Sequence, residues 1–336
     1  MSRSTRSVKR CGAASASRKR DGVTLFESPD LLGVGHLADA ANRARHGDVV
    51  TFAANQHINP TNICVLRKTC VFCGYARLPK EAGAYRYTIE QVLAEAEQAA
   101  DGMTREFHIV GGLDMQAGLE YYTTMFRALK RELPHVHIKA LTAVEIAHIA
   151  RIEKLSWTEV LIALREAGLD TMPGGGAETF SAAVRDEIAD KKLGGADYIG
   201  VHRAAHALGI RTNCTMLYGH VETIDDRIEH LQMLRDLQDE TGGFLAYIPL
   251  AYHPDDNELG EKLGRQGIQH DRLRRPPQPR GRPALPRQLR AHQVALDHGH
   301  AVPLADRAAL RRERPRGDRG AREDLPRRRC APPSRA

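Results

Sequence analysis

Three cysteines of this 336-residue chain are spaced so that their thiolates could bind one inorganic cluster. They are Cys64, Cys70 and Cys73, and together they form the pattern C-x5-C-x2-C. Cysteine thiolates are the usual ligands of iron-sulfur clusters, and a [4Fe-4S] cube normally takes four of them. Three thiolates would leave one iron without a protein ligand, so this iron could bind the amine and carboxylate of a small molecule.

Two other kinds of metal site would use similar residues. A zinc ion could take the three cysteines together with His57, because structural zinc sites combine Cys and His ligands. An electron-transfer cluster could instead recruit a distant fourth cysteine. The remaining ones, Cys11, Cys214 and Cys330, are isolated in sequence, and we expect no ligand role for them. Clustered cysteines favour a metal site in a reducing compartment over a disulfide framework, so a cytoplasmic protein is expected.

Further candidate residues follow predicted strands. Gly111 and Gly112 come directly after one strand, and their lack of side chains lets a backbone approach a ligand closely. Another strand runs into the turn Pro-Gly-Gly-Gly-Ala-Glu, which presents the carboxylate of Glu178. Arg185 could form paired hydrogen bonds with a carboxylate. A solvated Glu on a tight turn and a surface Arg are the alternatives for these last two residues.

A third group of candidates is Gly219-His220-Val-Glu222, at the end of a long β-rich run. His220 and Glu222 are candidates for substrate contact and proton handling, because imidazole changes its charge near neutral pH. A purely structural role for both residues is the alternative.

The elements that must position these residues alternate between short β-rich runs and helical periodicity, as in a parallel α/β fold. Six strand/helix units are recognisable, and in barrels of this type the working residues lie at the carboxyl ends of the strands. Two more units would close an eightfold barrel, and we expect this C-terminal closure to be lost. The predicted strands are Ile58–Asn62, Phe107–Val110, His137–Leu141, Leu169–Met172, Arg211–Tyr218 and Phe244–Leu250.

Helix termini are predicted from capping residues and periodicity. Thr88 is the expected N-cap of a helix over Ile89–Ala100, whose apolar residues repeat at helical spacing. Ser156 opens a second helix that ends near Gly168, and Thr223 begins a third.

Charge divides the chain into three parts. We expect a disordered basic extension over residues 1–30, the barrel domain over 31–264 and a tail over 265–336. The tail has 19 Arg, no Lys and 7 acidic residues, so its net charge is +12 and that of residues 1–264 is −5. It contains 10 of the 17 Pro and no aromatic residue, which leaves little to build a core from. We therefore expect this tail to be disordered or translated out of frame.

The same composition argues against two classes of partner. The tail lacks the aromatic side chains on which unpaired bases stack, so nucleic acid is not expected as a partner. No run approaches the roughly 20 apolar residues of a membrane-spanning helix, so no membrane partner is expected.

The cysteine segment resembles the cluster loop of the radical S-adenosylmethionine (radical SAM) enzymes. Their usual spacing is C-x3-C-x2-C with an aromatic residue before the last cysteine, which Phe72 matches, although the first gap is two residues longer here. The resemblance implies a (βα) barrel with a [4Fe-4S] cluster on the three cysteines and S-adenosylmethionine at the open iron. It further implies that Gly111 and Gly112 bind the methionine end of that cofactor, that Glu178 binds its ribose and that Gly219 lies near its adenine. Phe72 is likewise expected to be a cofactor-binding residue.

Longer strings at residues 137–146, 174–178, 238–244 and 248–254 resemble the aminofutalosine synthase branch of that family. This implies a role in menaquinone biosynthesis, with addition of the 5′-deoxyadenosyl radical to 3-[(1-carboxyvinyl)oxy]benzoate and with flavodoxin or ferredoxin as electron donor. Arg185, His220 and Lys139 are the expected partners of the two carboxylates of this aromatic substrate.

Two kinds of alternative remain open. Sister enzymes, dehypoxanthine futalosine cyclase and the deazaflavin-forming synthases, share the cluster motif. Leu250 favours the synthase, because the cyclase tends to carry Trp at this position. A non-enzymatic metal-binding module is the other alternative.

Overall fold

The strands form one sheet in a computed structural model that describes residues 19–97 and 104–264 and the short strand Val294–Ala295. Six strands are parallel and lie in sequence order, and the seventh pairs antiparallel with the sixth. The predicted α/β fold, a partial barrel of six strand/helix units, is confirmed. The strands are β1 (Asn55–Ile58), β2 (Glu106–Ile109), β3 (His137–Ala140), β4 (Thr171–Met172), β5 (Arg211–Tyr218), β6 (Phe244–Ala251) and β7 (Val294–Ala295).

Helices connect the parallel strands and cover one face of the sheet. Within the described ranges, no helix has the length and apolar character needed to cross a membrane. The helices are α1 (Lys19–Phe26), α2 (Leu31–His46), α3 (Ile89–Glu97), α4 (Leu119–Glu132), α5 (Ala143–Glu153), α6 (Trp157–Ala167), α7 (Ala182–Ile188), α8 (Gly195–Ala207), α9 (Ile224–Thr241) and α10 (Glu258–Leu263).

The predicted helix starts are confirmed by their capping contacts. The Thr88 hydroxyl accepts a hydrogen bond from the Gln91 N–H at the start of α3. Ser156 and Thr223 each form a capping box at the start of α6 and α9. Gly168 ends α6 in the left-handed conformation with φ +118°. Residues 98–100 of the first predicted helix lie outside the described residues.

The prediction of the first strand is wrong, because β1 ends at Ile58 instead of beginning there. Pro60 has no N–H to donate to a ladder. The Asn59 side chain donates to Val110 O, and Thr61 O accepts from Gly112 N. Residues 59–62 therefore bond to loops. The other predicted strands overlap the observed ones, and β4 keeps only two of its four predicted residues.

The terminal segments are described only in part. The sequence predicts a disordered extension over residues 1–30, but Lys19–Phe26 form α1, a correction for those residues. Gly22 of this helix lies against Ile228 of α9, where an added Cβ would be 2.6 Å from Ile228 Cδ1, so α1 packs closely on α9. Residues 1–18 and nearly all of the predicted tail, including Cys11 and Cys330, lie outside the described residues.

The two faces of the sheet differ in polarity. Ile58, Phe107, Ile109 and Ile138 are buried in the main hydrophobic core, which the helices share. The alternate strand positions carry polar residues instead, as the two-residue period of a strand requires. Because helices surround such a barrel on its outside, the polar face is the inner wall. Candidate site residues lie where the strands of this wall end.

Candidate functional site

The cysteine loop, Cys64–Cys73, follows β1 after five intervening residues and consists of two tight turns. Leu66 O accepts hydrogen bonds from both Thr69 N and Cys70 N at 2.9 Å, which closes one turn over the five-residue gap. Cys70 O accepts from Cys73 N at 3.1 Å, which closes the second turn. The long first gap is thus taken up by a compact turn, and all three cysteines remain in one loop with free thiols.

Four neighbouring segments hold the cysteine loop through backbone hydrogen bonds. Cys64 N donates to Arg77 O at 2.9 Å, and Val65 N donates to Leu113 O at 3.1 Å. Both backbone groups of Val71 form hydrogen bonds with other segments: its N–H donates to Ile188 O, and its carbonyl accepts from Leu259 N. The loop is therefore fixed by the segments after β2, β4 and β6, and its position depends on the folded barrel.

Burial and charge affect the three thiols differently. Cys70 is only 6% exposed, and burial raises the pKa of its thiol to about 11, although the nearby Lys192 ammonium lowers it. Cys64 and Cys73 are half-buried. Within the described ranges, no three Cys, His, Asp or Glu side chains converge on the point that a single metal ion would occupy. His57 stacks on His108 with ring centroids 4.5 Å apart, which disfavours the zinc site of three cysteines and His57.

Gly111 and Gly112 lie against the cysteine loop, with no room for side chains. A Cβ on Gly112 would lie 2.2 Å from Ile63 O and 3.0 Å from Cys64 Cβ. The Gly112 N–H donates to Thr61 O at 2.9 Å, and the Gly111 N–H donates to Glu145 Oε1 at 2.9 Å. The two glycines thus approach the segment that leads into the cysteine loop, and the predicted approach to a ligand stays a prediction.

The Glu178 carboxylate lies at the end of the predicted turn and pairs with a lysine. Glu178 has φ +49°, a left-handed conformation that costs a residue with a Cβ about 1–2 kcal/mol. Its Oε1 is 2.7 Å from Lys192 Nζ, and both side chains are largely buried. Lys192 Nζ also lies over the Phe72 ring, 5.2 Å from its centroid. One ammonium group therefore connects the turn after β4 with the cysteine loop.

Lys192 and Glu145 were missed by sequence reasoning. Burial lowers the pKa of the Lys192 ammonium, but Glu178 and Cys70 raise it more, so the net pKa lies above its ordinary value. Glu145 also accepts two hydrogen bonds from Thr142 at 2.7 Å, as the third residue of a capping box. The T-x-x-E pattern was therefore readable as a helix start. Lys192 belongs to no motif, and only its contacts identify it.

The Arg185 guanidinium binds backbone carbonyls. It donates to Ala177 O at 2.9 Å, to Thr179 O at 3.1 Å and to the carbonyls of Lys192 and Leu193. These hydrogen bonds tie the turn that carries Glu178 to the segment that carries Lys192. They indicate a positioning role, and the predicted contact with a carboxylate ligand stays a prediction.

His220 and Glu222 form a closed buried network. Glu222 accepts from the N–H groups of Gly219 and His220 and from Arg227 Nε at 2.9 Å. His220 Nδ1 accepts from Val221 N at 2.8 Å, which leaves Nε2 to donate to Leu217 O at 3.2 Å. Burial lowers the pKa of His220, so its imidazole is neutral near pH 7. These contacts agree with the structural alternative, and the predicted catalytic roles stay predictions.

The charged candidates converge on one region. The Glu178 carboxylate influences the pKa values of Cys70, Arg185, Lys192 and His220. These residues come from the segments after β1, β4 and β5, so the carboxyl ends of the strands meet as the sequence predicts. Cys214 lies apart from them, buried in the main core with its thiol directed to Ala246 O.

Comparison with known proteins agrees with this arrangement. Residues 58–234 match the family model of the Radical SAM superfamily, which is more than half of the chain. That superfamily implies a [4Fe-4S] cluster and S-adenosylmethionine. The chain is 43% identical over 246 residues to an aminodeoxyfutalosine synthase of Thermus thermophilus. This alignment covers 73% of the chain and 66% of the relative, slightly less than two thirds of its length.

A relative with a different activity is almost as similar. The chain is 39% identical over 249 residues to a 5-amino-6-(D-ribitylamino)uracil–L-tyrosine 4-hydroxyphenyl transferase of Methanosarcina acetivorans, covering 74% of the chain and 64% of that protein. Among solved structures, methylornithine synthase superposes with a TM-score of 0.60 at 17% identity, over 76% of this chain and 70% of that one. This last similarity concerns the fold alone.

Proposed function

The chain belongs to the radical SAM superfamily, and we propose that it is an aminofutalosine synthase. The reaction would join the 5′-deoxyadenosyl group of S-adenosylmethionine to 3-[(1-carboxyvinyl)oxy]benzoate, with release of methionine and carbon dioxide. The observation that carries the proposal is the 43% identity, over 73% of the chain, to the Thermus aminodeoxyfutalosine synthase.

The residues fit the two groups that the superfamily implies. Three free thiols on one loop are the correct donor set for a [4Fe-4S] cluster with an open iron. The Lys192 ammonium beside this loop offsets part of the negative charge that the thiolates bring. When bound, the reduced cluster and S-adenosylmethionine together supply a 5′-deoxyadenosyl radical.

The protein residues would bind and enclose the cofactor. We assign the ribose diol to Glu178, because a carboxylate can accept a hydrogen bond from each of two neighbouring hydroxyls. Glu178 must then exchange its contact with Lys192 for the ribose. The backbone of Gly111 and Gly112 would line the methionine end, and Phe72 and Gly219 would border the adenine. Arg185 would hold the Glu178 turn in place through its carbonyl contacts.

His220 and Glu222 would shape the site instead of moving protons. Their buried network fixes Gly219, whose φ of +89° is a conformation that glycine adopts without strain. An electron must reach the cluster from a donor such as flavodoxin or ferredoxin, and we retain this class of partner in the proposal.

The second candidate function is that of the sister synthase, which the 39% identity to the Methanosarcina transferase supports. Product analysis separates the two. The protein is reconstituted with iron and sulfide without oxygen, then reduced with S-adenosylmethionine and either 3-[(1-carboxyvinyl)oxy]benzoate or L-tyrosine with 5-amino-6-(D-ribitylamino)uracil. The proposal expects an adenosylated adduct from the benzoate alone.

Two other results would contradict the proposal. Free 5′-deoxyadenosine formed only with tyrosine and the uracil would assign the sister activity. Uptake of zinc, or of no metal, would assign a non-enzymatic module.

A further inference from the structure

A row of polar side chains crosses the inner wall of the sheet, away from the cysteine loop. Strand register pairs His57 with His108, His108 with Lys139, Lys139 with Thr171 and Thr171 with Arg211. Side chains in register on neighbouring parallel strands point to the same face. We call His57, His108 and Lys139 the inner row; Arg211 is exposed at the start of β5 and is not part of it.

The inner row is organised around a buried ion pair. Lys139 Nζ lies 2.7 Å from Glu106 Oε2, and both side chains are about nine-tenths buried. One contact to Glu106 leaves the ammonium with further N–H groups to donate, since Lys has three. The stacked imidazoles of His57 and His108 stand beside it. Burial, His57 and Lys139 lower the pKa of His108 to about 4, so that imidazole is neutral at pH 7.

Asn213 continues the polar inner wall on β5. Asn213 lies two residues after Arg211 on β5, on the face opposite to Thr212, whose hydroxyl contacts the outer histidines His202 and His206. It is 2% exposed, and its Oδ1 has no hydrogen-bond partner within the described part of the chain. The 3-[(1-carboxyvinyl)oxy]benzoate of the proposed function has no hydrogen-bond donor for this oxygen, so Asn213 adds to the polar character of the wall and is not assigned a contact with the substrate.

The inner row lies close to the carboxyl ends of its strands, where the candidate site is. His57, His108 and Lys139 each stand one residue before the last residue of β1, β2 and β3. The row therefore lies just below the loops that carry the cysteines and Gly111. A substrate whose reacting carbon faces these loops would direct its far end to the row.

We propose that the inner row binds the benzoate carboxylate of the aromatic substrate, with Lys139 as its charged partner and Glu106 as the residue that orients Lys139. This proposal rests on the proposed function and names the subsite within it. The benzoate carboxylate is on the ring, meta to the ether oxygen, whereas the other carboxylate is attached to the double bond that reacts. The benzoate carboxylate is therefore the one that reaches this depth.

The test measures equilibrium binding of two ligands by the reconstituted protein without reductant. One is 3-[(1-carboxyvinyl)oxy]benzoate, and the other has a carboxamide in place of the benzoate carboxylate. The variants are Glu106→Gln and the double variant Glu106→Gln/Lys139→Met, which removes both buried charges together. Comparing these two isolates the loss of Lys139, because neither leaves Glu106 charged and unpaired.

The proposal expects the wild type to bind the carboxylate ligand at least tenfold more tightly than the carboxamide ligand. The reason is that a hydrogen bond between two charged groups is stronger than one between a charged and a neutral group. The double variant should lose this preference, and Glu106→Gln should keep most of it. Equal binding of both ligands by the wild type would overturn the proposal even if the double variant does not fold. An unchanged preference in a folded double variant would overturn it as well.

Failure of the proposed function gives a different result. If the wild type forms the adenosylated adduct but shows no preference for the carboxylate, the proposed function stands and the subsite is wrong. If it binds tyrosine with the uracil and does not bind the benzoate, the proposed function fails, and the carboxylate assignment fails with it.

Discussion

Gly112→Ala should displace the cysteine loop, because this glycine is where the loop after β2 meets the loop after β1. The new Cβ would lie 2.2 Å from Ile63 O and 2.7 Å from Ile63 C. Both atoms belong to the backbone, so no side chain can rotate away to relieve the overlap. A backbone shift on the order of 1 Å would be needed to restore ordinary contact distances.

The cost of this shift follows from the contacts of the loop. Overpacking a well-packed site typically costs about 1–3 kcal/mol. A shift of Ile63 would also weaken the Cys64 N–H bond to Arg77 O, which is 2.9 Å long, and a lost hydrogen bond costs about 1 kcal/mol. We therefore expect Gly112→Ala to reduce the free energy of unfolding by about 2–4 kcal/mol and to impair iron binding.

Two measurements check this prediction, namely urea unfolding of the apoprotein and the iron content after anaerobic reconstitution. Gly194→Ala is the matched control, because nothing lies within 4 Å of its added Cβ and its φ of −65° suits any residue. If Gly112→Ala takes up the same amount of iron as Gly194→Ala and is equally stable, the argument from close backbone approach is refuted.

Three further predictions concern the charged residues around the site. Lys192→Met should reduce the free energy of unfolding in urea by about 3 kcal/mol, because it leaves the buried Glu178 carboxylate unpaired. Lys191→Met is the control, because Lys191 belongs to an exposed ion pair, and its loss should be less than about 1 kcal/mol. Equal losses in the two variants would contradict this prediction. Burial raises the pKa of Glu145 to about 7 from 4.5, so the stability this group contributes is complete below about pH 4.5 and is lost as pH rises through 7. Glu145→Gln should therefore remove up to about 3 kcal/mol of pH dependence between these values, and an unchanged profile would count against it. Arg185→Lys keeps the positive charge but loses the planar set of N–H donors that binds the backbone carbonyls. We therefore expect the free energy of unfolding to fall by about 2 kcal/mol. An unchanged free energy of unfolding would instead favour direct binding of a carboxylate ligand by Arg185.

The sequence predicts this fold where local signals and burial agree. The strand Arg211–Tyr218 was predicted with the bounds that the structure shows, because its β-rich run is long and ends at a glycine. The first strand was misplaced because the run Ile58–Asn62 begins with an apolar residue. In the structure the Asn59 side chain donates to Val110 O, and Pro60 has no N–H for a strand ladder. That outcome depends on Val110, which is distant in sequence.

The candidate site was predictable in its positions but only partly in its contacts. Cysteine spacing and glycine pairs are local signals, so Cys64, Gly112 and Glu178 could be placed at the strand ends. The roles of Arg185 and His220 depend on which groups satisfy their donors in the folded chain, and no spacing encodes that. Lys192 shows the same limit, because its partner Glu178 is 14 residues away on the other side of α7.

Substrate choice within this superfamily must be decided away from the cysteine loop. Identities of 43% and 39% to relatives with different activities are too similar to separate those activities. The residues at the strand ends would serve S-adenosylmethionine, which sister enzymes share, so they cannot distinguish a benzoate from tyrosine. Tyrosine carries an ammonium group that the benzoate lacks, and the Lys139 ammonium on the inner wall disfavours a second positive charge. Under the proposed function, the inner row would therefore favour an anionic substrate, which overall identity does not do.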